Sequence, residues 1–240
     1  MSIPAEMLQR IAGLESFCAQ VAHDLRGTLG GIAELAEIAR SALCDQDDAR
    51  LARRALPLIG AQARCSFEML SALLRLAQAG GGELQPQPIE LGTLVAQVIE
   101  GLVLAHGAQP LPTVTVEGTP PLHGDPALLH AVMQNLIGNA FKFCAGRSDA
   151  NVHIEGRRIA EGVLISVRDN GVGFDAARAA ELFEPFKRLH GHAFAGTGMG
   201  LCIVRQAVQR HGGRIWAESA PGEGACFSFV LPAPPECTPT

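Results

Sequence analysis

The sequence predicts an α+β protein in two parts: an N-terminal helical hairpin, then an α/β sandwich with helices on one face of a mixed sheet. Three observations predict this. Apolar residues step by alternating fours and threes along most of the first eighty positions. A glycine-rich break, Ala79-Gly80-Gly81-Gly82, ends that pattern. Helical and period-two stretches then intermix to the end of the chain. The expected domains are 1–80 for the hairpin, 84–232 for the sandwich and 233–240 for a flexible tail.

The hairpin follows from two apolar seams. Between Pro4 and Leu43 there is no proline, and Cys18, Ala22, Leu25, Leu29, Ile32, Ala36, Ala39 and Leu43 form an a/d stripe. After the polar Asp45-Gln46-Asp47-Asp48 a second stripe runs Leu51, Ala55, Leu58, Gln62, Cys65, Met69, Ala72 and Leu76. Two helices with wide apolar faces cannot bury them alone, so two copies of the hairpin are expected to form a dimeric four-helix bundle, a homodimer. Pro57 and Gly60 predict a kink in the second helix, or a helix that starts at Pro57. His23 stands one step past the seam residue Ala22, turned by about 100° toward the flank of the bundle. A neutral imidazole there has a lone pair able to take a phosphoryl group, although alone such a histidine reads as an ordinary surface residue.

In the second part Leu91 to His106 reads as a helix and Thr113 to Glu117 as a short strand. Asp125 to Phe143 reads as a helix with an aspartate cap and Pro126 at its first position. Asn151 to Glu155 and Val163 to Arg168 pair as strands around Arg157 to Gly162, and Met199 to His211 is a helix. Arg214 to Ser219 and Cys226 to Leu231 close a hairpin through Pro221-Gly222-Glu223-Gly224. Residues 174 to 198 contain no clear strand and carry Phe183, Phe186, Lys187 and Arg188, the composition of a lid whose aromatics pin it to a surface beside a ligand.

Composition narrows the function classes. The 240 residues are 48% hydrophobic and 18% charged, with net charge −5. That balance gives no basic face for nucleic acid. No apolar run reaches the roughly 18 residues of a membrane helix, and residues 1–10 lack a signal-peptide layout, so a cytoplasmic location is expected. Seven scattered cysteines without a Cys-x-x-Cys pair predict neither disulfide framework nor zinc site. His190-x-His192 falls in the lid and does not make a metal centre.

Three segments carry chemistry, and together they describe a nucleotide pocket. On a helix, Asn135, Asn139 and Lys142 share one side. An asparagine oxygen there suits Mg²⁺ and Lys142 suits phosphates, while Phe143 could lie against a base. Asp169-Asn170-Gly171-Val172-Gly173 follows a strand. Turn chemistry explains Asn170-Gly171 alone. It does not explain Asp169, whose carboxylate could accept the amine of adenine, or a further glycine that lets the ring approach the backbone. In Gly196-Thr197-Gly198-Met199-Gly200-Leu201, alternate glycines at a helix start turn backbone N–H groups toward a phosphate. A dinucleotide fold would need a strand directly before those glycines, and a loop stands there instead.

Asn139, Asp169-x-Gly171-x-Gly173, Leu182-Phe183-Glu184-Pro185-Phe186 and Gly196-x-Gly198-x-Gly200 resemble the N, G1, F and G2 boxes of sensor histidine kinases, and His23-Asp24-Leu25-Arg26 resembles the H box. Phe186-Lys187-Arg188-Leu189-His190 with His211-Gly212-Gly213-Arg214-Ile215-Trp216 looks most like the phytochrome and PAS-linked kind. The resemblance implies a GHKL-type ATP-binding domain, with ATP and Mg²⁺ as cofactors. It makes His23 the phosphoacceptor, Asp24 its neighbouring acid, Asn139 the metal ligand and Asp169 the adenine reader. It implies autophosphorylation of His23 and transfer to an aspartate of a response-regulator receiver domain. Related ATPases that hydrolyse ATP carry a glutamate one turn before the magnesium asparagine, where this chain has Asn135, a poor base. The family's small polar residue and proline after the histidine are Gly27 and Thr28 here, so the helix should be straighter. No input domain is visible before residue 1, which implies a truncated core or a signal from a separate sensor protein. The alternative reading is a histidine phosphotransfer or scaffold dimer with a degenerate nucleotide domain.

Overall fold

A computed structural model describes residues 27, 29–41, 51, 53–60, 63, 66, 83–106, 110–184, 187–190, 194 and 198–233. The chain divides into two units, 1–74 and 75–240.

In the first unit residues 29–41 form helix α1 and residues 53–60 form helix α2. Ala39 and Ala55 are buried, with Leu35 and Ile59 packed against them, so the two seams meet at their small residues. Within one chain, however, the seam residues Leu29, Leu51 and Leu58 remain 56%, 44% and 54% exposed. Residues 53–56 are already helical before Pro57, so the helix does not begin at that proline. His23, Asp24 and the seam positions before Leu29 lie outside the described residues.

The second unit runs β1 (Gln87–Glu90), α3 (Leu91–His106), β2 (Thr113–Glu117), β3 (Pro121–Gly124), α4 (Pro126–Cys144), β4 (Asn151–Ile159), β5 (Gly162–Asp169), a 3-10 helix (Ala176–Phe183), α5 (Gly200–Arg210), β6 (Arg214–Ser219) and β7 (Ala225–Pro232). Five strands form a mixed sheet in the order β2-β4-β5-β7-β6, in which β2 is parallel to β4 and the other pairs are antiparallel. β1 and β3 form a separate antiparallel pair. Prolines at positions 86, 88 and 121 disguise that pair in the sequence, because proline cannot donate to a ladder.

Alternate residues of β5, namely Val163, Ile165 and Val167, join Leu136, Ile137 and Phe141 of α4 and Val204 and Val208 of α5 in one buried cluster. The intervening residues Leu164, Ser166 and Arg168 line a shallow groove on the opposite side of the sheet, with Trp216 and Glu218 of β6. The cap foreseen for α4 is present: the Asp125 carboxylate accepts from the Ala127 and Leu128 amides at 3.1 and 3.2 Å.

Candidate functional site

Helix α4 organises the site. Asn135, Asn139, Lys142 and Phe143 are all half-buried along its second half. The Asn135 amide nitrogen donates to the Ala131 carbonyl at 2.7 Å, which fixes the side chain. Its oxygen faces the start of α5, where a Cβ on Gly200 would stand only 2.5 Å from it. A side chain at position 200 would push the Asn135 oxygen from this place, so glycine lets α5 begin this close to it. Met199 precedes the helix fully buried, and its own side chain makes no capping hydrogen bond to the first turn of α5. The first N–H groups of a helix have no partner within it and can face an anion.

The second segment approaches the end of α4. Val172 donates its N–H to the Phe143 carbonyl at 3.3 Å, and a Cβ on Gly171 would lie 2.5 Å from that same oxygen. Gly173 adopts φ +61°, in the left-handed region that favours glycine. Asp169, at the end of β5, is only 5% exposed, and its carboxylate accepts the Gly171 N–H at 2.8 Å. Burial holds this carboxyl above the usual carboxylate range, while the Gly171 bond pulls the other way.

Asn170 is not used as a hairpin turn residue. Its side-chain oxygen accepts the Asn151 N–H at 2.9 Å, and its amide donates to the Asp149 carbonyl at 2.8 Å. The Cys144 thiol, which burial and the neighbouring Asp169 charge keep protonated, donates to the same oxygen at 3.4 Å. One side chain thus ties the end of α4 to the start of β4 and the end of β5.

The Phe143 ring packs against Phe194 with centroids 4.9 Å apart and against His190 at 5.5 Å, and the Lys142 ammonium lies 4.3 Å from its centroid. Phe194 and His190 were not legible as partners, because ring contacts between a loop and a helix some fifty positions away leave no local period. Arg188 donates to the Phe194 carbonyl, and Lys187 pairs with Glu184 at 3.5 Å. Phe183, at the end of the 3-10 helix, sits in the hydrophobic core. Phe186, Gly196 and Thr197 lie outside the described residues, as do His23 and Asp24. Gly198, Met199, Gly200 and Leu201 are described, with Leu201 buried.

The structure therefore brings Asn135, Gly200, Phe143 and the Gly171 loop around one helix. With Lys142 and Asp169, this set combines neutral oxygen donors, a cation, a helix start and a buried carboxylate. Such groups fit a magnesium nucleoside triphosphate, with hard oxygens for the metal, N–H groups for phosphate and an acceptor for the base.

Residues 124–235 match the family model of histidine kinase-, DNA gyrase B- and HSP90-like ATPases. The chain is 41% identical over 144 residues to cyanobacterial phytochrome A of a Nostoc species, covering 59% of this chain and 17% of that protein. It is 30% identical over 228 residues to the sensor-like histidine kinase SenX3 of Mycobacterium tuberculosis, covering 92% of this chain and 54% of the relative. The chain thus spans under a fifth of the first of these proteins and about half of the second. In three dimensions it resembles the histidine kinase ThkA, solved in complex with the response regulator protein TrrA. That match has a TM-score of 0.70 at 19% identity and covers 95% of this chain and 64% of that one, a likeness of fold.

Proposed function

We propose that the chain is the catalytic core of a sensor histidine kinase, its residues 124–235 matching the histidine kinase-, DNA gyrase B- and HSP90-like ATPases, and that it phosphorylates His23 from Mg-ATP. The phosphoryl group then passes to an aspartate of a response-regulator receiver domain, as the capture of ThkA with TrrA supports by analogy. The observation that carries the reading is the meeting of the Asp169–Gly171 loop and the start of α5 on the Asn135–Phe143 stretch of α4.

Asp169 accepts the exocyclic amine of the adenine, and Gly171 and Gly173 let the ring reach the backbone. The start of α5 and Lys142 hold the phosphates. Asn139 would hold the Mg²⁺, which would supply charge neutralisation for the phosphates. A neutral His23 nitrogen attacks the γ-phosphorus, a P–N bond forms, and the bond to the bridging oxygen breaks so that ADP leaves. In the second step the receiver carboxylate displaces the imidazole and becomes an acyl phosphate. Asp24 orients His23 or takes its ring proton.

Water is not the acceptor in this reading. Position 135, where hydrolytic relatives place a base, holds an asparagine whose amide nitrogen is already committed to the Ala131 carbonyl. The test is transfer of label from γ-labelled ATP. Wild-type chain should take label that is stable in alkali and lost in acid, and His23→Ala should take none. Undiminished labelling of the His23→Ala chain would overturn the assignment.

A further inference from the structure

At the far end of the α4–α5 pair one histidine is held from three sides. His211 ends α5, with its Nδ1 2.7 Å from the Ala207 carbonyl oxygen and its Nε2 2.9 Å from the Asp125 backbone nitrogen. A backbone N–H only donates and a carbonyl only accepts. Nε2 is therefore the bare nitrogen and Nδ1 carries the proton, which assigns a single neutral tautomer. The third side is Gly124, where a Cβ would stand 2.9 Å from the ring's Cδ2 and 3.0 Å from Nε2. The same Cβ would stand 2.8 Å from Leu129 Cδ1, so a side chain at this position would crowd the ring against Leu129.

This contact joins the end of α5 to the cap of α4, and the two helices already touch at Gly200 and Asn135. From Gly200 to His211 the chain rises roughly 16 Å, and from Asn135 back to Asp125 roughly 15 Å, at about 1.5 Å per residue. The spans match, so α5 is pinned to α4 at both ends. We propose that His211 is a positioning residue that sets the register of α5 along α4, and so places the N–H groups of the α5 start opposite Asn135 and Asn139. The proposal rests on the nucleotide reading of that end. It accounts for why Nε2, an acceptor that no helix-end carbonyl can satisfy, takes its donor from the cap of α4.

Two amide substitutions separate this role from simple capping. In His211→Gln the amide oxygen reaches the place of Nε2 and keeps the bond from Asp125. In His211→Asn the amide nitrogen reaches only the place of Nδ1 and keeps the bond within α5. Gly124→Ala retains the histidine but crowds its ring and Leu129 with a methyl group. The experiment measures Mg-ATP affinity of the full chain by calorimetry, the KM and kcat of self-labelling, and the imidazole ¹⁵N shifts. His211→Gln should bind within about twofold of wild type, while His211→Asn and Gly124→Ala should weaken binding by roughly three- to tenfold, the loss of one cross-helix hydrogen bond. The weakening should appear in KM with kcat little changed, and the ¹⁵N shifts should show a bare Nε2. Equal affinities for the Gln and Asn chains, or a protonated Nε2, would overturn the proposal. If wild type binds no Mg-ATP, the nucleotide reading fails by itself. The register is then judged by hydrogen exchange of the first-turn amides of α5, expected to be faster in the Asn chain than in the Gln chain; equal rates overturn it.

Discussion

Asp169 has a buried carboxyl with no ion-pair partner among the described residues, and it meets only backbone N–H donors. Because burial raises its pKa, the folded protein holds this proton to a higher pH than the unfolded chain does. Between the ordinary carboxylate pKa and the raised one, the native state binds more protons than the unfolded state, so stability falls as pH rises through that window. Asp169→Asn keeps the oxygen that accepts the Gly171 N–H and removes the charge. It should flatten the fall in thermal stability across the window and leave neutral-pH stability unchanged or higher. The same variant should weaken Mg-ATP binding by roughly ten- to a hundredfold, the worth of a hydrogen bond to a charged group. A less stable Asp169→Asn protein with wild-type nucleotide affinity would refute both halves. Asp169 stood out in the sequence because a carboxylate between a strand and paired glycines has no turn role. His211 did not, since its decisive bond joins residues 86 positions apart.

Among elements, those with a strong period were legible: α3, α4, α5 and the strands of the large sheet fall within a few residues of their expected places. The 3-10 helix and the β1–β3 pair were not, because eight residues wound at about three per turn do not show the 3.6-residue period and the paired strands contain prolines. The junction at Asn170 was hidden for another reason. Its side chain bonds to residues on two other elements, whereas Asn-Gly on its own signals only a turn. Asn170→Ala leaves the Asn151 N–H and the Asp149 carbonyl without that partner, and should cost about 1–3 kcal/mol in denaturant unfolding. Asn170→Asp should cost more, since it sets an acceptor against the Asp149 carbonyl. An Asp variant as stable as wild type would show that the amide donor contributes nothing to the junction.

At the scale of the whole chain, the two units differ in how well each buries itself. Residues 83–233 contain a core drawn from three helices and the sheet, while the buried residues in the described part of the hairpin are Ala39, Ala55 and Ser66, with Leu35 and Ile59 packed against the alanines. Leu29, Leu51, Leu56 and Leu58 meanwhile stay largely exposed in one chain. Short helices do not persist in water without tertiary contacts, and burying one such leucine is worth about 1.5–3 kcal/mol, so a second hairpin is the natural cover. Two consequences follow from this asymmetry. The full chain should sediment as a dimer at micromolar concentration, and Leu58→Glu should shift it toward monomer while leaving Mg-ATP affinity intact. Residues 83–233 alone should fold, remain monomeric and bind Mg-ATP with the affinity of the full chain, yet take no label from γ-labelled ATP because the acceptor is gone. Should the isolated fragment dimerise, or the full chain sediment as a monomer, the apolar stripe would need another occupant and the seam reading would fall. If the fragment were to label itself, a nucleophile inside the ATPase domain would replace His23 as the acceptor.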